Sequence, residues 1–194
     1  MKEMKDLVEY AHENHVPIMM DDGLGFLLEQ IEKNHCHSFL EIGTAIGRTS
    51  LMVHSKFEDM RIVTIERDPQ MIEQAKKNFE GISNITLIEG DALEVNLSRN
   101  ETFDCIFIDA AKAQYTRFFA KYSPLLSKNG IIVSDNMDFH GLVAHPENTN
   151  NRNTKALVKK IRRYKEFLKA LVDYESEFYS IGDGIAVTKR RQAR

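Results

Sequence analysis

Asp109, Lys112, Asp135 and Asn136 are the residues of this 194-residue chain whose types and spacing could do chemistry. Asp109 closes the apolar run FDCIFID (103–109), and Lys112 follows three residues later. Asp135 closes a second run, GIIVSD (130–135), and Asn136 comes next. If the two runs are neighbouring strands, two carboxylates and an amide carbonyl converge at one rim. That donor set suits a hard divalent cation such as Mg²⁺, with water and substrate completing the octahedron. A lysine beside such a cation, in a partly dry cleft, has its pKa lowered by positive charge and desolvation. It can then act as a general base. The plainer alternatives are an Asp-Asn turn and a solvated surface lysine. The short spacing from Asp109 favours the functional reading of Lys112.

The elements that must position these residues are legible as alternating patterns. SFLEI (38–42), RIVTIE (61–66), ITLIEG (85–90), FDCIFID and GIIVSD are strand-like. GRTSLMVHSKF (47–57), PQMIEQAKKNFE (69–80) and QYTRFFAKYSPLL (114–126) between them are long enough for helices. Pro69 suits a first helical turn behind Asp68 as N-cap. Strand–helix alternation with buried strands predicts a parallel sheet covered on both faces. From residue 154, Leu157, Ile161, Tyr164, Leu168 and Leu171 recur at helical spacing. EFYSI and GIAVTKR then flank Gly182-Asp183-Gly184, a turn signal for a closing antiparallel hairpin. Residues 2–14 and 22–34 each read as a helix ahead of the sheet. The longest loop, 137–153, is of the length that is often functional. One domain follows: a helical cap over 1–37, a ligand-binding core over 38–136, and a loop, helix and hairpin over 137–194.

Ligands of open α/β sheets bind beyond the carboxyl ends of the strands. The first such turn, Glu41-Ile42-Gly43-Thr44-Ala45-Ile46-Gly47, has two glycines that permit a tight turn and close approach of backbone to ligand. Ala45 and Arg48 break the G-x-G-x-x-G fingerprint of nicotinamide dinucleotide sites. Glu66 ends the next strand, 19 residues past Gly47, where an acid can accept both ribose hydroxyls of a nucleoside. A plain turn and a solvated glutamate are the alternatives, and their combination at this spacing favours a nucleoside. Asp91, in EGDA (89–92), either caps a following short helix or meets the exocyclic amine of an adenine.

Composition excludes several classes. A hydrophobic content of 42% and a charged content of 28% are ordinary for a globular domain. No apolar run approaches the roughly 18 residues of a membrane helix, and MKEMKDLVEYAHENH has no secretory h-region. Two cysteines, Cys36 and Cys105, make no disulfide framework, which points to a cytoplasmic setting. The net charge of -3 hides an asymmetry: residues 152–169 hold eight basic side chains and one acid. Lys189, Arg190, Arg191 and Arg194 add a basic tail.

With LEIGTAIG (40–47), Glu66, EGDA, FIDAAK (107–112) and SDN (134–136) in this order, the chain resembles the class I S-adenosylmethionine-dependent O-methyltransferases, in the divalent-cation group of catechol and caffeoyl-CoA enzymes. The closing GDGIAVTK (182–189) extends the likeness. The resemblance implies a Rossmann-like α/β fold with a mostly parallel seven-stranded sheet, and a homodimer. It implies that Glu41, Gly43 and Gly47 lie along the methionine part of S-adenosylmethionine, with Thr49 at its carboxylate. Glu66 would take the ribose hydroxyls, and Asp91 and Ala92 would lie beside the adenine. Asp109, at the cofactor's edge, would join Asp135 and Asn136 in holding Mg²⁺, and Lys112 would take the proton from the acceptor hydroxyl. Members often carry tyrosine where this chain has Arg48, and a longer N-terminal segment. Within the family, the stretch from Gly141 to Leu168 is most similar to bacterial tRNA 5-hydroxyuridine methyltransferases. Arg152, Lys159, Lys160, Arg162 and Arg163 are then candidate phosphate contacts. A basic face is also the usual solvated side of an amphipathic helix, and a small catechol-like phenol is the alternative acceptor.

Overall fold

A strand that is apolar on both faces belongs in the middle of a sheet, and the order of the strands follows that rule. The computed structural model describes residues 4–192. The start of the helix expected over 2–14, and Arg194 of the basic tail, lie outside the described residues. The strands are β1 (Ser38–Ile42), β2 (Arg61–Glu66), β3 (Ile85–Glu89), β4 (Phe103–Ile108), β5 (Leu126–Ser134), β6 (Tyr174–Tyr179) and β7 (Ile185–Arg190). They form one sheet in the order β3-β2-β1-β4-β5-β7-β6. β1, β4 and β5, with the fullest apolar runs, are central. The first five strands are parallel; β7 runs antiparallel to β5, and β6 antiparallel to β7.

The helices are α1 (Met4–Glu13), α2 (Asp21–Lys33), α3 (Arg48–Lys56), α4 (Pro69–Asn78), α5 (Tyr115–Tyr122) and α6 (Arg152–Ala170). Strand side chains alternate between two cores. Phe39, Ile62, Phe107 and Val133 meet α1–α4 on one face. Leu40, Val63, Ile106 and Ile132 meet α5 and α6 on the other, with Phe118, Phe119, Ile161 and Leu168. Asp68 caps α4, accepting from the Gln70 and Met71 amides with Pro69 in the first turn. Asn151 caps α6 in the same way.

Three expectations change. β5 starts at Leu126 rather than Gly130, because the β4–β5 register shifts between Phe103 and Cys105 and the strand continues through polar Ser127–Asn129. The short helix after Asp91 is a turn, closed by the Glu94 and Val95 amides donating to the Asp91 carbonyl. The 137–153 loop is ordered by successive turns and a 3-10 turn at Pro146–Asn148.

Candidate active site

The order of strand addition reverses at β1: β2 and β3 lie on one side of it, and β4 and β5 on the other, all parallel. The crevice opens at that switch point. Its floor is unusually tight. Gly43 has φ 102°, and a Cβ there would stand 2.2 Å from the Asp109 carbonyl oxygen. The Asp109 amide donates to the Ile42 carbonyl at 3.0 Å. The glycine loop and the acid ending β4 are thus locked together.

A cavity of about 950 Å³ rises from this floor. Gly43, Thr49, Glu66, Asp91, Ala92, Asp109, Lys112, Asp135 and Asn136 line it, nine of the residues singled out in the sequence. Glu66 accepts from the Ala45 amide at 2.8 Å with one oxygen, and from the Arg67 and Asp68 amides with the other. The carboxylate is therefore fixed at the end of β2, anchoring the glycine loop. Asp91 accepts from the Leu93 amide at 2.9 Å and from Arg67 at 3.1 Å; the amide and then the guanidinium hold its carboxyl below the usual range.

Two expected cofactor residues, Glu41 and Gly47, do not line the cavity. Glu41 is 1% exposed and sits beneath the loop. Its partner across the β1–β2 ladder is Thr64, whose hydroxyl donates to it at 2.6 Å, as does that of Ser50. Burial outweighs these hydroxyls and pushes the Glu41 carboxyl up to about 8. Gly47 opens α3 with φ 85° and faces the Phe79 ring, 2.5 Å from where a Cβ would be. Both support the glycine loop from outside the cavity.

Asp109 and Asp135 stand side by side at the ends of paired strands. Burial first, then Asp109 and Asp183, raise the Asp135 carboxyl from 3.8 to about 8. Burial likewise raises Asp109, opposed by the nearby Lys112 ammonium. Lys112, at the start of a 3-10 turn, extends its Nζ to 6.0 Å from the Phe139 ring centroid. Asp183 is the lining residue the sequence reading missed: Gly-Asp-Gly between two strands signals only a turn. Its buried carboxylate accepts from Asn136 Nδ2 at 2.9 Å and from the His140 amide. With its nitrogen committed to Asp183, Asn136 keeps its side-chain oxygen as an acceptor in the same cavity lining as the two aspartates. Among the described residues no cluster of three or more His, Cys, Asp and Glu side chains is arranged to hold a metal. The donor set here is two carboxylates and one amide oxygen, the pattern of a hard cation that keeps open positions for water and substrate.

The model of the O-methyltransferase family matches residues 1–191. The chain belongs to the S-adenosylmethionine-dependent O-methyltransferase family. The methyltransferase is 32% identical over 142 residues to a catechol O-methyltransferase of Niastella koreensis, covering 69% of this chain and 62% of that enzyme. It superposes on a candidate caffeoyl-CoA O-methyltransferase from Staphylococcus aureus with a TM-score of 0.91 at 37% identity, covering 98% of this chain and 93% of that one. A Podospora anserina methyltransferase solved with SAH shares the fold, with a TM-score of 0.82 at 22% identity over 99% of this chain and 89% of that one.

Arg48, the departure from the family pattern, closes the cavity of this methyltransferase from the N-terminal side. Its guanidinium donates to the Met19 carbonyl at 2.7 Å and pairs with Asp21. Residues 14–20, which line the cavity, are thereby strapped to α3. Removing Arg48 leaves the Met19 carbonyl without its donor, a loss of about 1–3 kcal/mol where the group stays buried. Arg48→Ala is expected to speed limited proteolysis within 14–20 and to weaken cofactor binding about tenfold by calorimetry, since about 1.4 kcal/mol corresponds to a factor of ten. Unchanged values for both would show that the strap holds without it.

Of the basic residues on α6, Arg152, Lys159, Lys160 and Arg163 are solvent-exposed. Arg162 is exposed too, but its guanidinium donates to the Val143 carbonyl at 2.8 and 2.5 Å, clasping the loop ahead of α6. The expected phosphate contact at Arg162 is thus engaged within the protein. No helix among the described residues is long and apolar enough to cross a membrane.

Proposed function

We propose that the methyltransferase moves the methyl group of S-adenosylmethionine to an acceptor hydroxyl with the help of a divalent cation, Mg²⁺ or a similar hard ion, held by Asp109, Asp135 and Asn136. The observation that carries this reading is the convergence of those three side chains and Lys112 on the cavity that also contains the glycine loop and Glu66. The bound cation would supply positive charge that lowers the pKa of the acceptor hydroxyl. Glu66 accepts from the ribose hydroxyls, and the methionine part lies along the Gly43 backbone at the cavity floor. Lys112, as a neutral amine, takes the hydroxyl proton and becomes an ammonium. The oxygen lone pair forms the new bond to the methyl carbon as the carbon–sulfur bond breaks and its electrons pass to sulfur. Positioning of the two reactants supplies much of the acceleration.

The acceptor we propose is 5-hydroxyuridine at the wobble position of tRNA. An exposed basic face on α6, at Arg152, Lys155, Lys159, Lys160 and Arg163, supports it as a track for phosphates. A small catechol-like phenol is the second reading, favoured by the likeness to the Niastella enzyme. Both acceptors carry two adjacent oxygens, which suits a cation with open positions. Methyl-labelled S-adenosylmethionine and Mg²⁺, offered with hydroxyuridine-containing tRNA or with a catechol, separates them. Label in nuclease-sensitive material supports the tRNA; label on the catechol alone reduces the basic face to a solvated surface.

The paired acids add a pH signature. In the folded chain without cation, Asp135 keeps its proton up to about pH 8, against 3.8 ordinarily. Between those values the unfolded chain binds fewer protons, so cation-free stability falls as pH rises through that window. A cation offsets the ionised carboxylates, so the rise in Tm on adding Mg²⁺ is expected to be larger at pH 8 than at pH 6. Equal shifts at both pH values would contradict cation binding at this pair.

A further inference from the structure

Tyr115, the first residue of α5, is 1% exposed, yet its hydroxyl has no hydrogen-bond partner. It is one of two buried side-chain polar atoms in that state among the described residues, the other being His54 Nδ1. An unpaired buried hydroxyl costs about 1–3 kcal/mol and asks for a reason. Its surroundings supply one. The titratable groups that act on the Tyr115 hydroxyl are Asp109, Asp135, Tyr164 and Asp183, three of them acids lining the cavity. The neighbouring Tyr164 ring stands edge-on at 5.3 Å. Its hydroxyl is already paired with Ser134, the residue before Asp135, at 2.8 Å. Tyr115 thus brings an uncommitted O–H into the buried surroundings that Asp109 and Asp135 share, one ring away from Ser134.

Ionised carboxylates only accept hydrogen bonds. A ligand carboxylate that gives one oxygen to a metal keeps lone pairs that need a donor, and such outer donors fix its orientation. We propose that Tyr115 is a positioning residue of the cation site, its hydroxyl donating to Asp109 or Asp135, directly or through one water, when the cation is bound. This rests on the reading of Asp109, Asp135 and Asn136 as cation ligands. On this account the unpaired hydroxyl is a cost of the cation-free protein that loading removes.

The test is Tyr115→Phe, which keeps the ring and its packing. Mg²⁺ binding is read from the rise in Tm during titration, without acceptor, and Mn²⁺ binding by calorimetry. The expected result is a cation affinity lowered about 10-fold or more, the usual size of an outer-donor loss. Without cation, the Tm of the variant should equal or exceed that of the wild type, because the change removes an unpaired polar atom. Affinity for S-adenosylmethionine should be unchanged. A near-ultraviolet tyrosine difference spectrum on adding cation to the wild type, absent in the variant, is the second readout. An unchanged cation affinity in Tyr115→Phe would overturn the proposal, and a lowered cation-free Tm beside it would mark the hydroxyl as structural. A wild type that binds neither cation would remove the cation reading itself, and this inference with it.

Discussion

Replacing Lys112 with alanine is expected to cut methyl transfer by about 10²–10⁴-fold, the usual contribution of a general base, while leaving S-adenosylmethionine affinity unchanged. Lys112 is separated from the proposed cofactor anchors: Glu66 ends β2 and the glycine loop follows β1, whereas Lys112 follows β4. Its amine, three residues past Asp109 in the chain, extends toward Phe139. His140, another basic residue of the cavity lining, has its Nδ1 3.5 Å from Asp183 and its own amide bonded there, which makes it part of the loop's support. Lys112→Arg distinguishes a base from a charge. Arginine keeps the positive charge but does not give up its proton, so it should be as inactive as alanine. Activity retained by arginine would leave Lys112 an electrostatic role only. Activity retained by alanine would remove it from the mechanism.

Gly43→Ala is expected to be the most damaging single methyl group in the chain. The backbone there has φ 102°, and the added carbon would sit 2.2 Å from a backbone oxygen that cannot swing aside. The conformational strain alone is on the order of 1–3 kcal/mol, and relieving the clash means separating β1 from β4 at the switch point. A total on the order of 4 kcal/mol puts this among the large single-residue effects. It corresponds to a fall of roughly 10 °C in Tm for a chain of this size. Cofactor binding should be lost as well, because the same strand ends form the cavity floor. A variant with near-normal Tm and cofactor affinity would mean that the loop can re-form without the contact.

Most of the sheet was legible because its strands are buried on both faces, and continuous apolar runs such as FDCIFI record that directly. The site was legible for a related reason. The residue that follows a buried parallel strand stands at the rim, so Glu66, Asp91, Asp109 and Asp135 could be placed from strand ends alone. What stayed hidden depended on contacts distant in sequence. Asp183 comes from the β6–β7 turn, 47 residues after the Asn136 it orients. Glu41 has the same carboxyl group as Glu66, but it is buried beneath the loop against the Thr64 and Ser50 hydroxyls. Arg162 looked like one more surface charge, although its long side chain reaches back to the Val143 carbonyl. The early start of β5 was masked by the polar Ser127–Asn129 stretch at its register shift.

The central claim is cation-assisted methyl transfer at Asp109, Asp135 and Asn136. Its most direct test is label transfer from S-adenosylmethionine to the accepted substrate after treatment with EDTA, followed by stepwise return of Mg²⁺. EDTA is expected to stop transfer and Mg²⁺ to restore it in the wild type, with Asp135→Ala inactive at every Mg²⁺ concentration. Full transfer in the presence of EDTA would contradict it.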